Sequence, residues 1–404
     1  MGIDAQTIMN QMQMELDTAL SKMVQLDSDD KDVELLPTGI DALDLILGGG
    51  IALNKLTLIA GDPGTFKSTL AITVCAKLKE KYPESLIVYL DSENATSIQR
   101  MRQLGLSDVV PRTNLTVEKV FATIQALMTF KDEKKIKDVP TIVVWDSIAN
   151  TPTDAEMNTT DNINQTIGLK ARIISSRLPV IINKTKEYNI TLLFINQFRE
   201  KVQIGMFPSA NDLKNMASDK TLPGGNSPKF NASQFLQLRV SRVYDYKTSP
   251  YGFRSTVVRV KTVKNKFFPD GYEVDLVVDP AIGFSNLYTN MEILKAQKKL
   301  VTGAWSYLKD YPEKKFQGIK KLKDVYANDP IFRQKFDDIV KQTLEELRSE
   351  MSQYQSVETI SAPDEESITE NSNQQIEKTE QITNNSNNNN QVTDSIEDKV
   401  GEGG

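Results

Sequence analysis

The chain has 404 residues, of which 48 are basic and 54 acidic, with no histidine and one cysteine. The absence of histidine excludes Ser-His catalytic triads, histidine proton shuttles and histidine-ligated zinc sites. A single cysteine gives neither a disulfide framework nor a cysteine metal cluster. No apolar run approaches the roughly 18 residues of a membrane span, and the first residues lack a signal-peptide stretch. We therefore expect a cytoplasmic protein that makes no use of a membrane.

The negative charge is concentrated at the end of the sequence. Residues 356–404 contain eleven acidic residues and two lysines, a net charge of −9. The other 355 residues therefore carry +3 of the total of −6. The end segment is rich in Asn, Gln, Ser, Thr and Glu, and such a composition cannot bury enough apolar area to offset the entropy of ordering. We predict a mildly basic body and an acidic, Asn-rich, disordered tail over 356–404.

The first 34 residues contain a helical pattern. Apolar side chains recur at three- and four-residue steps within residues 4–25, namely at Ile8, Met12, Leu16, Leu20 and Met23. This spacing predicts an amphipathic helix. Its apolar face packs either on its own domain or on a neighbouring subunit, and we assign residues 1–34 as an N-terminal helical segment for oligomerisation.

Residues 35–285 alternate short apolar runs with helical periodicity. The runs 56–60, 86–90, 141–145 and 191–195 are typical of strands that are buried on both faces, and helical patterns occupy 68–82 and 167–188. Three later runs, 235–240, 257–263 and 272–278, follow one another without helices between them. The pattern predicts an α/β fold whose mostly parallel twisted sheet has helices on both faces and an antiparallel edge. Residues 286–355 have a Lys-rich, helical composition and are expected to form a small C-terminal subdomain.

A glycine-containing loop follows the first buried strand and leads into a helix. Backbone N–H groups in such a loop and at the helix N-terminus bind phosphate oxygens. Within it, Lys67 is placed to reach the β- and γ-phosphates, and the Ser68 hydroxyl to bind Mg²⁺. Phe66 stands where the usual motif has glycine, and an ordinary turn before a helix is the alternative. The predicted phosphate-binding residues are Gly61, Asp62, Pro63, Gly64, Thr65, Phe66, Lys67, Ser68 and Thr69.

Carboxylates follow two other predicted strands. Glu93 comes just after the run 86–90, and Asp146 directly after 141–145. Because the carboxyl ends of parallel strands meet at one edge of a sheet, both should lie near the phosphate loop. Asp146 fits the second, water-mediated contact to Mg²⁺, and Glu93 fits a base that orients the attacking water. Either carboxylate alone could be a helix cap, but together with Lys67 they predict hydrolysis of a nucleoside triphosphate.

Several separated motifs then occur in a characteristic order. They are Thr38-Gly39-Ile40-Asp41-Ala42-Leu43-Asp44 with Leu47-Gly48-Gly49-Gly50, then Ile195-Asn196-Gln197-Phe198-Arg199, Pro223 to Phe230, Val260 to Lys266, and Gly303-Ala304-Trp305-Ser306-Tyr307. With the phosphate loop, they resemble the RecA family of DNA strand-exchange ATPases over roughly residues 35–310. Within that family the chain is similar to the phage UvsX-type recombinases, whose loops also carry Phe-Lys-Ser.

The resemblance implies roles at the nucleotide. Gln197 would bind the γ-phosphate, although a polar residue at a strand end is the alternative. Lys264 and Lys266 would reach the nucleotide of the adjacent protomer and act as an arginine finger does; the alternative is a solvated pair at a sheet edge. Arg100 stands where many members have a tyrosine against adenine, and Ser97 where they have an acid, so we expect Arg100 to contact the base. These two departures from the family pattern concern the base and leave the predicted hydrolysis of the triphosphate unaffected.

The resemblance also implies two DNA-binding loops and a subunit interface. The loops span about 150–168 and 199–230, and the first contains no Lys or Arg. Backbone amides and polar side chains can still contact DNA phosphates, since such contacts need donors rather than charge. The implied DNA contacts are Arg172, Ser175, Arg199, Gly224, Gly225 and Asn226. The implied interface residues are Lys229, Phe230, Lys264 and Lys266.

The implied function is that of an ATP- and Mg²⁺-dependent recombinase. It would form helical filaments on single-stranded DNA and exchange strands with a homologous duplex, in recombination, repair and recombination-dependent replication. Single-strand-binding and mediator proteins would be its partners. A hexameric RecA-like helicase or ring motor, and a nucleotide-regulated recombination mediator, are the alternatives. The Phe-Lys-Ser loop and the lack of histidine favour a phage protein, which would act in the host cytoplasm.

Overall fold

The computed structural model describes residues 33–158, 168–200 and 220–361, without the side chains of Glu200, Lys220 and residues 352–361. The predicted N-terminal helix, residues 159–167 of the first predicted DNA loop, residues 201–219 of the second and the tail beyond residue 361 lie outside the described residues. The chain divides into two compact units, Met1–Glu346 and Leu347–Gly404. Within the described part, none of the helices is long and apolar enough to cross a membrane.

The described secondary structure alternates strands and helices as far as β6. The strands are β1 (Leu35–Leu36), β2 (Ile51–Ala52), β3 (Leu56–Gly61), β4 (Leu86–Asp91), β5 (Thr141–Asp146), β6 (Ile190–Gln197), β7 (Arg199–Glu200), β8 (Lys220–Thr221), β9 (Gln234–Tyr244), β10 (Ser255–Asn265), β11 (Glu273–Asp279), β12 (Gly283–Phe284), β13 (Leu300–Val301), β14 (Trp305–Leu308) and β15 (Tyr311–Gln317). The helices are α1 (Asp41–Leu47), α2 (Lys67–Lys81), α3 (Ile98–Gln103), α4 (Val117–Lys134), α5 (Asp154–Asn158), α6 (Leu169–Ile182), α7 (Ser227–Asn231), α8 (Asn286–Ala296), α9 (Leu322–Asn328) and α10 (Pro330–Ser361).

An eight-stranded sheet has the order β12-β11-β10-β9-β3-β6-β5-β4. The five strands from β9 to β4 run parallel, whereas β10, β11 and β12 each pair antiparallel with a neighbour. The predicted α/β fold, with its mostly parallel sheet and antiparallel edge, is therefore confirmed. The sheet has this composition because the first strands are linked by helical crossovers, whereas β9 to β12 follow one another through loops.

The main core lies between this sheet and helices α4 and α6. Trp145 of β5 is completely buried, and its ring meets Phe121 and Phe194 edge-on, with centroids 5.8 and 5.1 Å away. Its indole N–H donates to the Thr151 hydroxyl at 2.7 Å. Strand residues alternate between faces, and α2 packs against β3, β5 and β6 on the other side. The sheet is thus buried on both faces, which explains its continuous apolar runs.

Two details differ from the sequence prediction. Helix α6 ends at Ile182 instead of reaching 188, because the Thr185 hydroxyl then donates to the carbonyls of Asn54 (2.7 Å) and Ile182 (2.8 Å) and fixes a turn. The Lys-rich stretch after α8 contains the antiparallel sheet β13-β14-β15 as well as helices. The adjacent Lys314 and Lys315 are compatible with a surface strand, because only Phe316 of β15 is buried, in a second core with Phe332 and other side chains.

Candidate nucleotide and nucleic-acid site

Four parallel strands end beside one another at one edge of the sheet. Their last residues are Gly61 of β3, Asp91 of β4, Asp146 of β5 and Gln197 of β6. The registers pair Gly61 with Gln197 and Asp91 with Asp146. The fold therefore gathers at one place the phosphate loop, the carboxylates and the glutamine that the sequence indicated separately.

Glycines shape the phosphate loop. A Cβ at Gly61 would lie 2.3 Å from the Leu238 carbonyl oxygen and 2.7 Å from the Thr65 hydroxyl, so a side chain does not fit there. At Gly64, where φ is +75°, a Cβ would meet no atom within 4 Å. The loop is thus packed against β9 on one side and open on the other, as a cradle for phosphate oxygens requires.

Phe66 has a left-handed backbone, with φ of 63° and ψ of 26°, immediately before α2. This conformation explains why glycine is usual at the position, since a Cβ there costs roughly 1–2 kcal/mol. Phe66 therefore adopts here the left-handed conformation that glycine adopts most readily. A strict search for the glycine-lysine pair would miss this loop.

Lys67 begins α2 and is only 6% exposed. Its ammonium donates to the Asp62 carbonyl at 2.8 Å and to the Thr65 hydroxyl at 3.3 Å, so the side chain folds back over the loop. Burial lowers the pKa of Lys67, and the negative charges of Asp146 and Glu93 oppose that shift. The ammonium therefore faces the same carboxylates that were predicted to serve the nucleotide.

Asp146 is buried next to the first turn of α2. Burial raises its pKa to about 6, while hydrogen bonds with Ser68 and Tyr89 act in the opposite direction. The Tyr89 hydroxyl donates to Asp146 Oδ2 at 2.8 Å. A hydroxyl and a carboxylate oxygen, side by side next to a phosphate cradle, are the ligands that Mg²⁺ takes when it also binds phosphates. Ser68 and Asp146 thus fit the predicted magnesium contacts.

Glu93 accepts two side-chain hydrogen bonds through the same oxygen. One comes from the Ser147 hydroxyl at 2.5 Å and the other from Gln197 Nε2. The carboxylate is thereby placed between the ends of β5 and β6, and its second oxygen has no described partner among the hydrogen bonds of the site. The arrangement places a candidate base in direct contact with the predicted γ-phosphate residue.

Two further residues, for which the sequence pattern indicates no role, position Glu93. Asp91 is 1% exposed, and its carboxylate accepts the backbone N–H groups of Glu93 (3.0 Å) and Thr96 (2.9 Å). The Ser92 hydroxyl lies within 3.0–3.1 Å of the Asp146 and Ser147 carbonyls. The only indication in the sequence is that both residues precede Glu93 at a strand end. At such a position, a residue that caps a helix cannot be told from a catalytic residue by sequence alone.

Arg100 lies on α3, on the side of the phosphate loop where Thr69 lies. Its guanidinium donates to the Ala281 carbonyl, in the turn between β11 and β12, at 2.6 Å. A Cβ at Gly283, in the same region, would lie 2.8 Å from Leu104 and 3.6 Å from Thr69. Arg100 therefore joins α3 to the turn between β11 and β12, a region that also packs near Thr69 in the first turn of α2. The Ser97 hydroxyl accepts the Arg100 backbone N–H at 3.1 Å and caps α3.

The described parts of the two predicted DNA loops meet at the start of α6. Gly224 and Gly225 have positive φ, and a Cβ there would lie 2.7 Å from Ile148 and 2.9 Å from Ala171. Arg172 and Ser175 are exposed one turn along α6, and Arg199 donates to the Ala149 carbonyl at 3.1 Å. Asn226 precedes α7 and accepts the Phe230 N–H on its carbonyl at 3.0 Å. The predicted DNA-contact residues thus lie around one surface.

Asn196 links that surface to the nucleotide side. Its buried amide donates to the Pro223 carbonyl at 2.8 Å, and its Oδ1 accepts the N–H of Gln197 at 3.0 Å. The residue next to Gln197 therefore holds the end of the second predicted DNA loop. In the sequence, Asn196 is distinguished only as part of the motif Ile195-Asn196-Gln197-Phe198-Arg199.

Lys264 and Lys266 lie far from the phosphate loop of their own chain. Lys264 pairs with Phe235, which pairs with Leu58 of β3, and the Lys266 N–H donates to the Ser233 carbonyl. This is the amino end of β3, opposite to Gly61. Lys264 Nζ donates to the Phe230 carbonyl at 2.7 Å, while the Phe230 ring is 69% exposed and Lys229 is exposed. The four predicted interface residues are therefore brought together on this side.

The family model of the RecA N-terminal domain matches residues 6–283. The chain belongs to this RecA family. Among its relatives, Protein RecA of Campylobacter lari is 32% identical over 258 residues, which cover 63% of this chain and 69% of that protein. Protein RecA of Syntrophus aciditrophicus is 28% identical over 326 residues, which cover 79% of this chain and 85% of that protein. Protein RecA of Leptospira meyeri is 27% identical over 334 residues, which cover 81% of this chain and 80% of that protein. The predicted RecA-family relationship is confirmed, and the RecA match contains the phosphate loop, both strand-end carboxylates and the lysine pair.

Proposed function

We propose that the chain is a DNA-dependent ATPase that forms helical filaments on single-stranded DNA and catalyses homologous pairing and strand exchange. Its membership of the RecA family and its relatives named Protein RecA support the general activity. The Phe-Lys-Ser loop supports membership of the phage UvsX-type recombinases. The proposed roles are recombination, repair and recombination-dependent replication. Single-strand-binding and mediator proteins are the partners that this function implies.

One observation carries the filament proposal, namely the position of Lys264 and Lys266. Lys266 lies level with Leu56, five residues before Gly61 on β3, which at about 3.3 Å per residue is roughly 16 Å along the strand. Strand β9 also separates β10 from β3. A lysine side chain does not span this distance to its own phosphate loop. If the pair contacts a nucleotide, that nucleotide is bound to another copy of the chain.

Hydrolysis would use residues on both sides of such a contact. Backbone N–H groups of residues 61–69 and the Lys67 ammonium would bind the phosphates, with Ser68 and Asp146 holding Mg²⁺. The metal ion, when bound, neutralises phosphate charge. Glu93 would accept a proton from the attacking water, and Gln197 would hold the γ-phosphate. The neighbour's Lys264 and Lys266 would stabilise charge that develops on the phosphates in the transition state.

The same contacts supply a connection between nucleotide and DNA. Gln197 touches Glu93, and Arg199, two residues later, starts the second predicted DNA loop. At the other end of that loop, Lys264 holds the Phe230 carbonyl. A change at the phosphates is therefore passed to the loop through Gln197 in one protomer and through Lys264 in the next. We assign Arg172, Ser175, Arg199, Gly224, Gly225 and Asn226 to the bound strand, with Lys229 and Phe230 at the subunit interface.

Electron microscopy tests the proposal. The full chain is imaged in negative stain with single-stranded DNA, Mg²⁺ and a slowly hydrolysed ATP analogue. We expect open helical filaments that coat the strand and that are absent without the nucleotide. Closed six-fold rings would instead favour a ring motor, and isolated particles without DNA would favour a mediator. Either result would overturn the recombinase proposal.

A further inference from the structure

Two cations converge on one backbone carbonyl near the end of β5. Lys170 Nζ donates to the Ala149 carbonyl at 3.3 Å, and Arg199 Nη2 donates to the same oxygen at 3.1 Å. Arg199 also reaches Asn150 Oδ1 at 3.4 Å. Lys170 lies on the first turn of α6 and Arg199 just after β6, so two separate elements bring positive charge to this point.

The charges of this pair are not balanced by the described groups around them. In the part of the chain that the structure describes, neither cation forms an ion pair with a carboxylate. Their shared acceptor is a neutral carbonyl. Burial lowers the pKa of Lys170, the positive charge of Arg199 lowers it further, and Glu156 is the acid that opposes this. The Glu156 carboxylate accepts the Thr153 N–H at 2.6 Å. An anion held between the two cations would relieve their mutual repulsion.

The pair lies among the residues that we assign to the bound strand. Ala171, the neighbour of Lys170, is the residue against which Gly225 packs, and Arg172 is exposed next to it. The first predicted DNA loop, 150–168, contains no Lys or Arg. Lys170 therefore adds positive charge directly after a loop that has none of its own.

We propose that Lys170 is a DNA-contact residue, which together with Arg199 binds the phosphate backbone of the single strand where it crosses the end of β5. The inference rests on the proposed function. Phosphate oxygens accept hydrogen bonds from both an ammonium and a guanidinium, and charge-assisted bonds of this kind are stronger than those to a carbonyl. The ligand is thus a chain of phosphodiesters, and the contact is independent of base sequence.

The salt dependence of DNA binding tests this contact. Fluorescence anisotropy of a labelled oligo(dT) is measured with the full chain, Mg²⁺ and a slowly hydrolysed ATP analogue, over a range of chloride concentrations. Each lost phosphate contact on a single strand reduces the slope of log K against log salt by about 0.7. We expect that reduction for Lys170→Gln, together with weaker binding. Lys184→Gln makes the same charge change on an exposed lysine beyond the other end of α6, and we expect the wild-type slope for it.

The outcomes separate this inference from the function on which it rests. If the wild-type chain binds no oligonucleotide with any nucleotide, the recombinase proposal fails, and the Lys170 contact fails with it. If the wild type binds but Lys170→Gln has the slope of the wild type and of Lys184→Gln, only the Lys170 contact is refuted. Calorimetric titration of inorganic phosphate into the DNA-free chain separates the ligand sources. Saturable phosphate binding that Lys170→Gln loses, together with a wild-type salt slope of Lys170→Gln for DNA, would assign the site to free phosphate and refute the contact with the strand.

Discussion

Replacing Glu93 by glutamine should abolish turnover and leave the site assembled. Glutamine has the same size, and its amide oxygen can accept the same two bonds, from the Ser147 hydroxyl and from Gln197 Nε2. The backbone N–H of residue 93 remains bound to Asp91. What disappears is the proton-accepting carboxylate. General-base catalysis contributes typically about 10²–10⁴-fold, which corresponds to roughly 3–5 kcal/mol of transition-state stabilisation.

DNA-stimulated ATP hydrolysis and nucleotide affinity measure the two expected effects separately. For Glu93→Gln we expect hydrolysis, followed as phosphate release, to fall by about 10²–10⁴-fold, while a fluorescent ATP analogue binds nearly as well as to the wild type. Glu84→Gln, at an exposed position in the turn between α2 and β4, is the matched control and should hydrolyse ATP normally. Hydrolysis by Glu93→Gln at the normal rate would show that the base is another group.

Three further substitutions test the packing and the predicted contact of Arg100 with the base. Gly61→Ala places a Cβ 2.3 Å from the Leu238 carbonyl, so calorimetry should show a lower melting temperature, with overpacking costing about 1–3 kcal/mol or more; an unchanged melting temperature would contradict the close approach. Trp145→Ala should lower the free energy of unfolding in urea by about 3–5 kcal/mol, since it empties a buried aromatic cluster; a loss below about 1 kcal/mol would mean that the cluster contributes little. Arg100→Leu should weaken ATP binding about 2–30-fold, because it removes a cation predicted to stack on the base. In competition titrations, the affinity for inorganic triphosphate should be unchanged. Equal losses of affinity for both ligands would place Arg100 at the phosphates instead.

The sheet could be predicted from sequence because burial on both faces leaves an unmistakable pattern. Residues 56–60, 86–90, 141–145 and 191–195 are each nearly continuous apolar runs, and each is a strand of the structure. The end of α6 was less predictable, because the periodicity continues past Ile182 and the turn is fixed by the Thr185 hydroxyl reaching Asn54, 131 residues away in sequence. Contacts of that range leave no local signal.

The site was predictable where a residue's chemistry is local to a strand end. Lys67, Glu93, Asp146 and Gln197 each follow a predicted strand, and the parallel topology then brings them to one edge. The convergence of Lys170 and Arg199 on the Ala149 carbonyl could not be predicted in this way. It depends on how α6 lies against the ends of β5 and β6, which the sequence pattern does not specify.

Mixing two inactive variants tests most directly whether the ATP site is shared between protomers. One variant is Lys67→Ala, and the other replaces both Lys264 and Lys266 by methionine. Each alone should be inactive in DNA-stimulated ATP hydrolysis. In a filament of equal parts, a site is complete when the second variant supplies the phosphate loop and the first supplies the lysines, so random assembly should restore about a quarter of the wild-type rate. No recovery on mixing, or full activity of the lysine-pair variant alone, would contradict a shared site.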